Sequence, residues 1–234
     1  MILSVDTSTR YAGVVLSDEE RVVSCRLWYS RVNHTAELMP AVAQILESQQ
    51  VSVRDLEAVA VGLGPGGFSS LRVGLSVAKG LTAASGLPII GVGTLDLEAY
   101  PYLKTGVAVC AMLDVGRGEV ATANFDCHGH SAGEESIWTP EALLDSITEP
   151  TQFCGEGVVP WVSLIKDRLG PTAIVMASPS PGTRLWSLAA MARERLAIGT
   201  TDDPIILEPN YIRMPSIGKP KQRDRRRQGA QGHR

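Results

Sequence analysis

The sequence is short of the residues that announce several kinds of chemistry. Its four cysteines, Cys25, Cys110, Cys127 and Cys154, are scattered and form no C-x-x-C pair. That leaves neither a disulfide scaffold nor a paired-thiol metal or redox site in view. Of the four histidines, two stand together in "CHGH" (127–130). This cluster lacks the distant ligand pair that a tetrahedral zinc site requires, and reads as a loop between strands rather than a metal site. No G-x-S-x-G turn places a nucleophilic serine, and no Gly-Lys-Ser/Thr ends a Walker loop. Aromatic residues make up only 5% of the chain, which argues against a stacking platform for single-stranded nucleic acid. No apolar run approaches the roughly 20 residues needed to span a bilayer. Asp6 interrupts the first apolar segment too early for a secretory signal. The expectation is a cytoplasmic protein with free thiols and no membrane partner.

What is present suits a globular body. The 234 residues are 44% hydrophobic and 20% charged, enough for one large domain or two lobes of about a hundred residues each. The net charge of −3 conceals an asymmetry. From Lys219 onward there are seven Lys/Arg and one acid, so the remainder is distinctly acidic. The basic tail, 215–234, has almost nothing apolar to bury and is expected to be disordered. It is either a solvated end or a segment that attracts RNA phosphates.

Hydrophobic patterning repeats along the chain. "MILSVD" and "AGVVLS" flank the turn "TSTRY" and predict a β-hairpin over 2–17, extended by "ERVVSCRLWY". "HTAELMPAVAQILESQQ" carries Leu38, Val42, Ile45 and Leu46 at helical spacing, with Pro40 in its first turns, where a missing donor costs least. A strand at 58–63 runs into "GPGG", and Ser69 or Ser70 is placed to cap a helix to about Ala84. "LPIIGVG" is a fifth strand. The second half restarts the pattern: "MLDVGRGEVATANF" aligns with "SVDTSTRYAGVVLS", setting Asp114 on Asp6, and "TQFCGEGV" echoes "AVAVGLGPGG". Two α/β lobes related by internal duplication follow, 1–102 and 103–214, joined near "YPYLKTG".

A strand–Asp–turn–strand unit present twice is the layout of actin-like ATPases and sugar kinases, whose paired acidic turns hold nucleotide phosphates and Mg²⁺. Asp6, Thr7 and Ser8, with Asp114 opposite, are the candidate nucleotide site. The same side chains equally suit satisfying the turn's own amides. Gly64 and Gly66 belong to a loop whose amides favour an anion, or which serves as a tight strand-to-helix turn. The helix that follows mixes Gly74, Ala78 and Gly80 with Leu71 and Leu75, so more than one face is expected to be buried, either within the lobe or against another molecule.

Taken in order, "ILSVDTSTRYAGVVL", "NHTAELMPAVAQIL", "AVAVGLGPGGFSSLRVGLSVAKGLTAASGLPIIGVGTLDLEA", "LDVGRGEVATANF" and "LEPNYIRMP" resemble the bacterial TsaB (YeaZ) family, over residues 1 to about 214. The G-P-G-x-F-[ST]-x-[LV]-R-[VI]-G pattern within 64–74 is its most specific part. The resemblance implies a two-lobed actin-like (ASKHA) fold, each lobe a mixed β-sheet flanked by helices. It implies a non-catalytic scaffold in making threonylcarbamoyladenosine in ANN-decoding tRNAs. The catalytic paralogue, TsaD, holds a metal through H-x-x-x-H; here Thr94 and Glu98 stand at those positions, so that metal site is expected to be missing. This departure also tells against the glycoprotease label of the wider family.

The resemblance further implies pairing with the TsaD-like paralogue through the first-lobe helices, with His34, Met39, Leu71, Gly74, Leu75 and Ala78 as interface candidates. A TsaE-like ATPase joins the pair, and a homodimer forms in isolation through the same helices. Contact with tRNA is indirect or through the basic tail. No cofactor is required, and weak ATP/ADP–Mg²⁺ binding is left open. The alternative reading is an actin-like ATPase or kinase with its own nucleotide site.

Overall fold

The computed structural model describes residues 1–213 except Glu20, Val32 and Pro179; the expected tail, 215–234, lies outside the described residues. The first segment supplies β1 (Ile2–Asp6), β2 (Tyr11–Ser17), β3 (Val22–Tyr29), α1 (His34–Ser48), β4 (Ala58–Gly64), α2 (Phe68–Ser85) and β5 (Ile89–Gly93). A short α3 (Thr94–Ala99) and a 3₁₀ turn at Tyr100–Tyr102 lead onward. The second segment supplies β6 (Ala108–Asp114), β7 (Val120–Phe125), β8 (Ser136–Trp138), α4 (Pro140–Ser146), β9 (Thr151–Cys154), α5 (Val162–Leu169), β10 (Ala173–Val175) and α6 (Thr183–Ala197).

The two sheets have the same topology. The first runs β3-β2-β1-β4-β5, and the second, read from its far edge, runs β8-β7-β6-β9-β10. In each, an antiparallel meander of three strands is followed by two parallel ones. Asp6 ends β1 as Asp114 ends β6. This is the duplicated, two-lobed actin-like architecture that the sequence repeat predicts.

Burial follows the strand period of two. Leu3 and Val5 of β1 join Val14, Leu38, Val42 and Ile45 on the α1 side. Ile2 faces the other way, with Ala58, Ile90, Leu188 and Ala192. A strand covered on both faces reads as a continuous apolar run, and β1 does. The second lobe is built likewise around Val109, Ala111 and Leu113 on one face and Cys110, Met112 and Phe153 on the other.

Three expectations are corrected. The helix after the glycine loop starts at Phe68 with Gly67 in the capping position, and neither serine caps it. Ser70 lies inside the first turn, and its hydroxyl donates to the Gly67 carbonyl at 2.9 Å. Pro40 is the seventh residue of α1, past the first turn, so its missing N–H removes a helical bond; it sits on the exposed face, where water can take the freed carbonyl. Finally, residues 103–214 do not form one packing unit. α6 crosses back to lie on the first sheet, against β1, β2, β4 and β5, because Leu188 and Ala192 complete that sheet's second apolar face.

Candidate functional site

At the end of β1 the chain turns through Thr7–Arg10, and Asp6 has both carboxylate oxygens engaged. Oδ1 accepts from the Ser8 amide (3.0 Å) and the Ser8 hydroxyl (2.6 Å). Oδ2 accepts from Nε of Arg184 at 2.8 Å. The neighbouring strand has to carry glycine here, since a Cβ on Gly62 would stand 2.6 Å from Oδ1. Thr7 donates to the Ser70 carbonyl at 2.7 Å, and its side chain packs where a Cβ on Gly74 would go. Asp6, Thr7 and Ser8 are all fully buried.

Arg184, delivered by α6, is the centre of this cluster. Its five N–H donors all have acceptors. Nε serves Asp6; Nη1 serves Glu98 Oε1 at 2.7 Å and also Glu156; Nη2 serves Thr9 Oγ1 at 2.7 Å and the Tyr11 carbonyl at 3.1 Å. The partners come from the first-lobe turn, from α3, and from the 3₁₀ segment after β9. Burial works against the guanidinium's charge, but Asp6, Glu98 and Glu156 more than offset it, so its pKa rises above the ordinary value. Burial likewise pushes the Glu98 carboxyl upward, with Arg184 pulling it back.

This arrangement re-draws the expected site. Asp6 and Thr7 face an internal arginine, and Asp6 would have to release Arg184 to take a hydrated Mg²⁺. At the two positions that the resemblance matches to the paralogue's histidines, Glu98 binds Arg184 and Thr94 is buried with no hydrogen-bond partner for its hydroxyl among the described residues. Sequence reasoning missed Arg184 entirely. The signal was there: it stands four residues before Leu188 and eight before Ala192, on the buried stripe of α6.

In front of this cluster lies an open cleft of about 870 Å³ between the lobes. Of the nucleotide-site candidates it gathers Ser8, Gly66 and Asp114; it also takes in His34, which the sequence reading had set at the helix interface, and Arg10, Arg31 and Arg213, which that reading had not singled out. Asp114 is exposed, with Oδ1 accepting the Gly116 amide at 2.7 Å. His34 Nε2 lies 3.2 Å from the Thr9 carbonyl. Gly64 is set apart from the cleft: at φ 109° it is in the glycine region, and Asn210 closes over it, its amide donating to the Leu63 carbonyl at 2.7 Å. The same C-terminal segment clasps the start of α2. The Tyr211 ring lies 4.8 Å from that of Phe68, Arg72 sits 3.9 Å over Phe68, and Arg72 Nε donates to the Tyr211 hydroxyl at 2.8 Å.

The interface candidates divide. Met39 is exposed and His34 half-buried. Leu71, Gly74, Leu75 and Ala78 are buried within the chain, against Thr7 and the β4–β5 surface. They are core positions, because their spacing sets one stripe of α2 on the sheet. What the helix pair offers outward is Ala36, Met39 and Ala43 of α1 beside Ser76 and Gly80 of α2, and a Cβ on Gly80 would meet open space.

Comparison with known proteins agrees with this architecture. The family described as "TsaD: tRNA N6-adenosine threonylcarbamoyltransferase" matches residues 29–156, more than half of the chain. The tRNA threonylcarbamoyladenosine biosynthesis protein TsaB of Bacillus subtilis is 26% identical over 91% of this chain and 94% of its own length. The TsaB of Escherichia coli is 34% identical over 67% of this chain and 69% of its own. The solved structure of YeaZ from Pseudomonas aeruginosa superposes with a TM-score of 0.71 at 27% identity, covering 90% of this chain and 98% of that one.

Proposed function

Because the chain belongs to the TsaB/YeaZ family, we propose that it acts in the biosynthesis of tRNA threonylcarbamoyladenosine as a non-catalytic subunit that supports a TsaD-like transferase. The observation that carries this reading is Arg184. An actin-like enzyme keeps the carboxylate at the end of its first strand available for the metal and phosphates; here that carboxylate and Glu98 are spent on an internal guanidinium. A buried ion cluster with all five donors satisfied costs far more to open than to keep. The chain therefore has no requirement for a cofactor of its own, and its contribution is a surface.

That surface is the outward face of α1 and α2. Small residues at Ala36, Ala43, Ser76 and Gly80, with Met39 among them, allow another helix pair to approach closely, and methionine adapts to a partner's shape. The occupant is the TsaD-like paralogue in the working complex, with a TsaE-like ATPase joining, and a second copy of this chain when it is alone. A cytoplasmic location goes with this role; among the described residues no helix is long and apolar enough to cross a membrane.

The test is reconstitution. Transfer of threonylcarbamoyl to tRNA is expected to be absent with this chain alone and to appear when it is added to the transferase and the ATPase. Gly80→Arg, at an exposed position with open space, is expected to abolish the complex on size-exclusion chromatography without lowering the melting temperature. Transfer by the chain alone, or micromolar ATP–Mg²⁺ binding by calorimetry, would restore the enzyme reading.

A further inference from the structure

The interlobe cleft has a chemistry that neither the buried cluster nor the helix face uses. Aromatic residues are few, yet four of the chain's twelve, Tyr11, Tyr29, Phe68 and Tyr211, line this one cavity. Tyr29 is 49% exposed and packs at a steep angle against Tyr11, with ring centroids 5.2 Å apart, so its ring is both supported and accessible to solvent. Beside it stand Arg10 and Arg31, both exposed. Neither is in an ion pair with another described residue; Arg10 makes only a 3.2 Å hydrogen bond to the Tyr29 hydroxyl. Two unneutralised cations on a body that is acidic overall are unexpected unless an anion comes to them. Two acids line the same cavity: Glu156 is committed to Arg184, and Asp114, on the second-lobe wall, accepts the Gly116 amide. Arg213 lines the same cavity but is paired with Glu119, so Arg10 and Arg31 are the cations left for a ligand.

We propose that this cleft is a docking site for a single-stranded segment of RNA, with phosphates at Arg10 and Arg31 and a base stacked on Tyr29. The proposal rests on the tRNA-directed function above and assigns the contact to this chain's folded body. Binding needs no metal ion, because Asp6 is closed off by Arg184 and phosphates are met by guanidinium groups directly. An open, aromatic-rimmed cleft suits a strand that passes across it better than a mononucleotide that must be enclosed.

The experiment uses the full chain, a fluorescein-labelled 12-nucleotide single-stranded RNA, and fluorescence anisotropy in low salt with EDTA present. Wild type is expected to bind with an affinity indifferent to EDTA. Arg10→Gln with Arg31→Gln is expected to weaken binding about tenfold, and to reduce the slope of log affinity against log salt by about 1.4, the value for two phosphate contacts on a single strand. Tyr29→Leu is expected to weaken binding several-fold, with no change in that slope. All three positions are exposed, so an unchanged melting temperature certifies the variants. Absence of wild-type binding overturns the proposal. So does binding unaffected by the arginine pair, with deletion of 219–234 alone abolishing it, and so does displacement of RNA by micromolar ATP–Mg²⁺. Any of these leaves the reconstitution assay, and hence the scaffold reading, to be judged separately.

Discussion

The two acidic turns began as the same unit and have opposite fates. Asp6 and Asp114 each end the first strand of a five-stranded sheet with the same topology. Asp6 is fully buried, with both oxygens engaged. Asp114 is exposed and binds only the amide two residues on. The difference lies behind the sheets. α6 covers the first sheet and brings a guanidinium to the end of β1, and among the described residues no cation pairs with Asp114 at the end of β6. A duplicated motif thus yields one structural clamp and one open cleft wall, and the clamp ties together turn, α3 and second-lobe segment in one ion cluster.

The largest break in this comparison is Arg184→Ala. It strands Asp6 and Glu98 as buried carboxylates without a cation and is expected to cost about 3–5 kcal/mol, read from urea denaturation; a loss below about 1 kcal/mol would mean that the cluster does not hold the lobes. Next, the contrast between the turns is measured by two matched variants. Asp6→Asn leaves Arg184 short of a buried partner and is expected to cost about 1–3 kcal/mol, whereas Asp114→Asn, at the surface, is expected to stay within about 0.5 kcal/mol. Equal effects would erase the distinction.

The smallest effect concerns a carboxylate that lacks a guanidinium. Glu135 of the second segment accepts from Asn210 at 2.7 Å, and burial, with Asp96 adding to it, pushes its pKa to about 6. Since this acid's pKa is raised on folding, its charge opposes folding above pH 6, and the penalty is relieved as pH falls through 6 toward 4.5. Glu135→Gln is expected to gain about 1 kcal/mol relative to wild type at pH 7, after discounting for partial exposure, and to lose that advantage at pH 4.5. Thermal melting of the pair across this range checks it.

Much of the fold was legible because it is written in local periodicity. The hairpin over 2–17, the α1 stripe of Leu38, Val42 and Ile45, and the strand–Asp–turn repeat are each set by residues within a few positions of one another. Ser8, Gly66 and Asp114 could be named as cleft candidates for the same reason, whereas His34, named for the helix face, lines the cleft instead. The helix start at Phe68 was misread because serine is the commoner cap, while here an extended Gly67 does the work. The interface residues on α2 were misread because an all-round apolar pattern does not say which face the sheet takes.

By itself, the sequence determined two lobes of the same α/β plan, an acidic body with a basic end, and the family that the glycine loop and its following helix specify. Only the tertiary structure decided what the first acidic turn does. Arg184 lies 178 residues from Asp6 in the chain, and no local pattern couples them. They meet because α6 must bury Leu188 and Ala192, the first sheet has an uncovered apolar face, and covering that face carries the arginine to the one place where three carboxylates need a cation.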